Sequence, residues 1–98
     1  MLDGMAVLHI EHPISDLDTW LTAFGRFADA RAQAGVRAHR IHQPVDDPGY
    51  IVVALEFDDV DSAARFKGFL EANVWSNTEA SPALAGTPVA RILTAVDG

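Results

Sequence analysis

The run YIVVALEF at residues 50–57 limits the possible folds of this chain more than any other segment. Alternate residues of a β-strand point to opposite faces of the sheet. One face of this strand would carry Ile51, Val53, Leu55 and Phe57, and the other would carry Tyr50, Val52, Ala54 and Glu56. Both faces are therefore largely apolar, and the pattern predicts a strand in the middle of a sheet that is covered on both sides.

Three further runs have the composition of strands. Residues 5–12 are rich in strand formers and end before Pro13, which has no N–H to donate to a central ladder. Residues 36–43 alternate in part, and the Asp-Asp-Pro-Gly turn at 46–49 joins them to the doubly apolar strand as a hairpin. Residues 89–96 form the last predicted strand. The sequence thus predicts a sheet of four strands.

Two helices are predicted between these strands. The first begins after Ser15 or Asp16, either of which can cap its first turn, and ends at Gly35. Its buried stripe is expected to contain Leu17, Trp20, Leu21, Phe24, Phe27, Ala28 and Arg31. The second helix begins after the aspartate pair at 58–59 and continues to about Asn73.

The predicted order β-α-β-β-α-β is that of a ferredoxin-like α+β domain. Such a domain has a four-stranded antiparallel sheet in the spatial order 4-1-3-2 and both helices on one face. With 98 residues, a single domain is expected. Two helices cover only one face of the sheet, and an apolar patch that spans several strands is too large for solvent. We therefore expect a homodimer in which two sheets pack face to face.

The charge and the cysteine content exclude several classes of function. Seven Lys and Arg against fourteen Asp and Glu give a formal net charge of −7, and the basic residues are scattered, so neither nucleic acid nor a membrane surface is an expected partner. The absence of cysteine excludes disulfides and thiolate sites. No apolar run approaches the roughly 20 residues of a membrane span. The first residues also lack the pattern of a signal peptide, so a cytoplasmic protein is expected.

Polar residues on the predicted bare face are the first candidates for chemistry. Strand parity places His9 and Glu11 on that face, and Glu56 joins them from the neighbouring strand. If the residues that flank the hairpin turn pair with each other, His39 lies opposite Glu56. A histidine beside a carboxylate can act as a general acid and base. The alternative is that these four side chains only hydrogen-bond to one another or to a partner subunit.

Two His-x-x-His spacings, His9 with His12 and His39 with His42, look like pairs of metal ligands. A three-residue offset in a strand places the two imidazoles on opposite faces, so neither pair can bind one ion. A mixed site of His9, His39 and Glu56 is conceivable from ligand chemistry. We nevertheless expect no metal and no cofactor, and we expect His12 and His42 to be exposed at strand ends.

Several segments resemble the dimeric α/β-barrel superfamily, which includes antibiotic-biosynthesis-monooxygenase-like and stress-responsive barrel proteins. The segment VLHIEHPISDLDTWLTAF is similar to the start of many members, and the pieces RAQAGV, DDP and EFDD extend the resemblance over residues 7–96. The resemblance implies two sheets packed into a barrel with a cavity in each subunit. It also implies that the segment with Trp75 and Asn77 overhangs the cavity mouth. The asparagine that quinone-forming relatives carry on the first strand is absent here.

Three functions are compatible with these features. The first is binding of a small apolar or aromatic molecule in a cavity between the sheet and the long loop, with His9, Glu11, His39, Glu56 and Trp75 as ligand-binding residues. The second is a cofactor-independent monooxygenase that acts on an aromatic or polycyclic substrate. The third is a structural or regulatory dimer whose barrel is filled with side chains. The state of the cavity distinguishes them, because a filled barrel favours the third function.

Overall fold

The doubly apolar strand lies inside a four-stranded sheet, as its two faces require. The structure is a computed structural model that describes residues 5–96. Its elements in chain order are β1 (Ala6–Pro13), α1 (Leu17–Arg26), α2 (Ala28–Ala34), β2 (Ala38–His42), β3 (Tyr50–Phe57), α3 (Val60–Phe69), a π-helical turn (Leu70–Val74) and β4 (Val89–Leu93).

The strands are antiparallel to their neighbours and lie in the spatial order β2-β3-β1-β4. This is the predicted order 4-1-3-2 read from the other edge, so the ferredoxin-like α+β fold is confirmed. Buried and half-buried residues alternate along both central strands, β1 and β3. The buried side chains form the centre of the core, which includes Leu8, Ile10, Ile51, Val53, Leu55 and Phe57.

Short polar side chains and one glycine set the ends of the helices. The carboxylate of Asp16 accepts a hydrogen bond from the backbone N–H of Thr19 at 2.8 Å, which caps α1. Asp59 accepts one from the N–H of Ser62 at 2.7 Å, which caps α3. Gly35 has a φ of 94°, in the left-handed region, and ends α2 as predicted.

The predicted first helix is divided into α1 and α2 at Phe27. The N–H of Phe27 donates to the carbonyl of Phe24 at 3.2 Å, a bond that spans only three residues, so the α-helical ladder ends there. The guanidinium of Arg31 donates a second hydrogen bond to the same carbonyl. Carbonyls in the last turn of a helix lack their usual intrahelical partner, and Arg31 supplies one. The break therefore fixes the position of the Arg31 side chain.

The edge strands are shorter than predicted, and the central strand β1 keeps its predicted length but is shifted by one residue toward Pro13. β2 and β4 have five residues each, whereas eight were predicted for each, because an edge strand is held by only one ladder. β1 continues through Pro13, which pairs with Tyr50 at the end of the β1–β3 ladder. Proline is tolerated at a strand end, where a missing N–H interrupts no further pairing.

One face of the sheet points away from the core and is called here the open face. Strand pairing assigns it Val7, His9, Glu11, Ala38, Arg40, His42, Tyr50, Val52, Ala54, Glu56, Val89, Arg91 and Leu93. Two of its apolar side chains, Val89 and Leu93, are 45% and 43% exposed. The open face thus combines exposed apolar surface with charged residues.

Candidate functional site

A cavity of about 80 Å³ lies between the sheet and the helices. Its aromatic and large aliphatic walls comprise Ile10, Trp20, Phe24, Phe27, Val53, Leu55, Phe66, Leu70, Val74, Trp75 and Leu84. Three polar side chains, His12, Arg31 and Ser81, also line it. A concave apolar space with a few polar groups is the usual form of a small-molecule site.

Arg31 is a buried cation in the wall of this cavity, only 8% exposed. Its guanidinium carbon lies 3.6 Å from the centroid of the Phe24 ring, in a cation–π contact, and the group donates to the Phe24 carbonyl. Within residues 5–96, no carboxylate lies within ion-pair distance of Arg31. Burial lowers the pKa of Arg31 from its usual value. The positive charge of Arg31 therefore lies in the cavity wall, and no carboxylate in the described part of the chain acts as its counter-ion.

His12 is the second buried polar group and is 4% exposed. Its Nδ1 lies 2.9 Å from the carbonyl oxygen of Pro13, and because a carbonyl only accepts, Nδ1 carries the proton. Burial lowers the pKa of His12 from its usual 6.5. The imidazole is therefore neutral at neutral pH, and Nε2, which bonds to no other described residue, is a hydrogen-bond acceptor on a side chain that lines the cavity.

The expectation that His12 is exposed is wrong. Because β1 continues to Pro13, His12 keeps the parity of Leu8 and Ile10 and points to the core side. The ring of Trp20 on α1 lies 6.5 Å from the imidazole, centroid to centroid, and helps to cover it.

Two stacked aromatic rings connect the buried histidine to the buried arginine. Trp20 and Phe24, one helical turn apart on α1, stack with their centroids 5.0 Å apart. His12 contacts the Trp20 end of this aromatic pair, and Arg31 lies over the Phe24 end. The arrangement places a hydrogen-bond acceptor and a cation at the two ends of one aromatic wall.

Trp75 lines the cavity from the end of the π-helical turn. Its backbone N–H donates to the carbonyl of Leu70 at 2.8 Å, which closes that turn. The Ser81 hydroxyl donates to the carbonyl of Val74 at 2.8 Å and ties the following loop to the turn. Single π-helical turns are frequent at functional sites because they redirect a side chain within a helix.

The polar residues predicted for the bare face of β1 do lie on the open face, where they form a hydrogen-bonded cluster. His9 Nε2 lies 2.9 Å from Glu11 Oε2, and the Tyr50 hydroxyl donates to Glu11 Oε1 at 2.8 Å. The hydrogen bond with His9, followed by the one from Tyr50, lowers the pKa of Glu11. The same contact with Glu11 raises the pKa of Tyr50. Arg91 of β4 pairs in register with His9 and lies on the same face.

The predicted convergence of His39 with Glu56 is wrong, because the hairpin register differs by one residue. His39 pairs with Leu55 and points to the core side, where its ring lies 5.2 Å from that of Phe24. Glu56 pairs with Ala38 instead, and its carboxylate lies 3.3 Å from the guanidinium of Arg40.

The cause of the shift is the loop that joins β2 to β3. Pairing starts at His42 and Val52 and leaves a wider loop than a tight Asp-Asp-Pro-Gly turn would need. The Gln43 side chain bridges this loop by donating to the carbonyls of Pro48 and Tyr50 at 2.9 and 3.1 Å. A one-residue slip moves every side chain of a strand to the other face.

The five residues predicted as ligand-binding are therefore not in one place. Trp75 lines the cavity, His39 lies outside it at the edge of the core side, and His9, Glu11 and Glu56 lie on the opposite face of the sheet. The sheet itself separates Trp75 from these last three residues.

Two cavity residues, His12 and Arg31, were not chosen from the sequence, although it contains signals for both. Arg31 falls at the helical spacing of Trp20, Phe24 and Phe27, which places it on the buried stripe. His12 shares the strand parity of Leu8 and Ile10 within the predicted strand 5–12. In both cases the informative feature was a charged or polar residue among apolar residues that share one face of the element.

Residues 5–96 contain neither a cluster of metal ligands nor a helix that could span a membrane. No group of three or more His, Asp or Glu in residues 5–96 could hold a metal ion. No helix in the same range is both long enough and apolar enough to cross a membrane.

Fold and cavity define the class of protein: a ferredoxin-like α+β domain with an aromatic-lined cavity between its sheet and its helices. No model of a known protein family matches the chain, and no curated protein matches it in sequence. Solved structures do share its fold over nearly the whole chain.

Three of these structures show the relationship. SnoaB, a cofactor-independent oxygenase from Streptomyces nogalater, has a TM-score of 0.71 at 20% identity, over 97% of this chain and 96% of that chain. A candidate antibiotic biosynthesis monooxygenase from Nitrosomonas europaea has a TM-score of 0.68 at 17% identity, over 96% and 93%. A dimeric ferredoxin-like protein from an uncultured marine organism has a TM-score of 0.64 at 8% identity, over 98% and 93%. At these identities the similarity shows a common fold.

Proposed function

We propose that this protein binds a small aromatic molecule in the cavity between its sheet and its helices. The observation that carries the proposal is the composition of the cavity wall, in which aromatic and aliphatic side chains surround only three polar side chains. Aromatic walls hold an aromatic ligand by burial of its surface and by ring contacts.

The size of the cavity favours a small ligand. Pockets that enclose drug-sized molecules have volumes of roughly 300–1,000 Å³. A cavity of about 80 Å³ is better matched to a single ring than to a polycyclic system.

Intrinsic fluorescence tests the proposal without a label, because both tryptophans of the chain line the cavity. Titration with phenol and benzamide is expected to change the emission of the native protein saturably. The variant Ala23→Leu, which places a larger side chain in the wall, is expected to abolish the change. Its matched control is Ala32→Leu, at an exposed position of α2, which is expected to bind normally.

A second filling variant guards against a folding defect, because overpacking a core can cost about 1–3 kcal/mol. Ala80→Leu fills the cavity from the loop rather than from α1. Circular dichroism verifies the folding of each variant. Equal binding by the filled variants and the control would contradict the proposed site.

A second candidate function is cofactor-independent oxygenation of an aromatic substrate. It is favoured by the fold shared with SnoaB, whose structure is described as that of a cofactor-independent oxygenase. Oxygen uptake with anthrone, a reduced three-ring aromatic, tests this candidate. The small cavity volume argues for single-ring binding instead, and we expect no uptake above the rate without protein.

We also propose that the protein is a homodimer joined through its open faces. Exposed Val89 and Leu93 and half-buried Val52 supply apolar surface there. One structure with the same fold is that of a dimeric ferredoxin-like protein. A dimer without any aromatic ligand is the third candidate, a structural or regulatory one, and saturable binding in the titration above would exclude it.

A further inference from the structure

We infer that the ligand is an aromatic acid whose carboxylate is held by Arg31 and whose hydroxyl donates to Nε2 of His12. The inference rests on the proposed function, because it assumes that the cavity binds an aromatic ring. It adds the charge of the ligand and the positions of its polar groups.

The first step is the charge of Arg31. A guanidinium has five N–H donors, and in the described residues Arg31 uses one of them, on the carbonyl of Phe24. A buried charge is costly unless it is paired, and neither an ion pair nor full exposure compensates this one. Planar guanidinium donors match the two oxygens of a carboxylate, which can supply the missing charge.

The second step is the surroundings of that charge. The other lining residues are neutral, since His12 carries no charge at neutral pH and no aspartate or glutamate lines the cavity. The chain as a whole has a formal charge of −7 and would repel anions. The attraction of an anion to this cavity therefore comes from the local charge of Arg31. Because that charge lies in an apolar wall, salt screens the attraction less than it screens an exposed ion pair.

The third step is the acceptor on His12. The imidazole is more than nine-tenths buried, its Nδ1 proton is committed to the carbonyl of Pro13, and its Nε2 therefore offers a lone pair. A ligand hydroxyl can donate to that lone pair, whereas a second carboxylate would be repelled. Cation and acceptor lie at opposite ends of the stacked pair Trp20 and Phe24, so a ring bound along this wall has the cation toward one end and the acceptor toward the other.

Benzoate and benzamide test the charge, because they have the same shape and differ in ionisation. The native protein is expected to bind benzoate at least about tenfold more tightly, the usual size of a hydrogen bond to a charged group. Arg31→Gln is expected to remove that preference, and Arg31→Lys to retain part of it. Arg26→Gln, at an exposed arginine of α1, is the matched control and is expected to retain all of it.

A spectroscopic measurement on the native protein covers the case in which Arg31→Gln does not fold. The Nε–H resonance of Arg31 is expected to shift on addition of benzoate and not on addition of benzamide. Binding of neither compound would refute the proposed function itself. Equal binding of both compounds by the native protein, or a preference for benzoate that survives in Arg31→Gln, would refute the inference and leave ring binding intact.

The hydroxyl is tested with 3-hydroxybenzoate and 4-hydroxybenzoate. At least one of them is expected to bind several-fold more tightly than benzoate, and His12→Phe is expected to remove this gain while the preference for benzoate over benzamide persists. If neither isomer binds more tightly than benzoate, or if the gain persists in His12→Phe, the assignment of His12 is wrong.

Discussion

Burial acts in the same direction on the two ionisable residues of the cavity but leaves them in different charge states. It lowers the pKa of both Arg31 and His12. The usual pKa of arginine is so far above neutrality that Arg31 remains a cation. The usual pKa of histidine, 6.5, is so close to neutrality that the same effect makes His12 neutral. One wall therefore contains a permanent donor and an acceptor.

The neutral state of His12 predicts a loss of stability in weak acid. Below pH 6.5 the histidine takes up a proton in the unfolded chain but not in the folded chain, because its folded pKa is lower. The free energy of unfolding is thus expected to fall as the pH drops below about 6.5, by at most about 1.4 kcal/mol per pH unit from this group. Urea denaturation at pH 7.5 and 5.5 measures the change.

The matched variants for this measurement are His12→Gln and His39→Gln. The first is expected to lose part of the pH dependence, and the second, at an exposed imidazole on β2, to keep it. An identical pH dependence in His12→Gln and the native protein would mean that His12 is not the group responsible.

At the scale of elements, the helical side of the protein is organised by two interruptions. The break at Phe27 places Arg31 over the ring of Phe24, and Gly35 ends α2 so that the chain can enter β2. The first interruption places the Arg31 side chain on the cavity wall, and the second sets where the chain leaves the helical layer. The helices thus contribute to the cavity through the points at which they are interrupted as well as through their apolar surface.

Two glycine substitutions are expected to have opposite effects on stability. Gly35→Ala forces a side chain into the left-handed region and is expected to destabilise the fold by about 1–2 kcal/mol. Gly25→Ala lies inside α1, where an added Cβ meets no atom within 4 Å, and is expected to stabilise it by up to about 1 kcal/mol. Thermal or urea denaturation measures both. Similar effects of the two variants would contradict the role given to Gly35.

At the scale of the whole molecule, the charges of the open face are largely paired before any second subunit arrives. Glu11 is bonded by His9 and Tyr50, and Glu56 by Arg40. Pairing lowers the cost of placing charged groups in an interface, where an isolated carboxylate would be strongly unfavourable. The open face is thus suited to an interface that contains both apolar and charged groups.

The proposed dimer predicts a difference between two valine substitutions. Val52→Asp introduces an unpaired carboxylate at the centre of the open face and is expected to dissociate the dimer or unfold the protein. Val60→Asp makes the same change at an exposed position in the first turn of α3 and is expected to leave the dimer intact. Sedimentation velocity at micromolar concentration measures the assembly. A native monomer, or a Val52→Asp dimer of normal stability, would contradict the proposed interface.

The sequence by itself determined the elements and the order of the strands, because these depend on patterns within short segments. The alternation of residues 50–57 identifies a central strand, and the spacing of Trp20, Phe24 and Phe27 identifies the buried side of the first helical region. Caps such as Asp16 act within one turn of the helix that they begin. The parity of His9 and Glu11 follows from the same local alternation, so their place on the open face was predictable.

Only the tertiary structure decided which residues of different segments become neighbours. The register of β2 against β3 depends on how Gln43 bridges the loop between them, and one residue of slip separated His39 from Glu56. The burial of His12 depends on whether β1 continues to Pro13 and on the covering ring of Trp20. These outcomes depend on contacts between segments distant in the chain, which a periodic pattern within one segment does not specify. The cavity, with its paired acceptor and cation, is the product of those contacts.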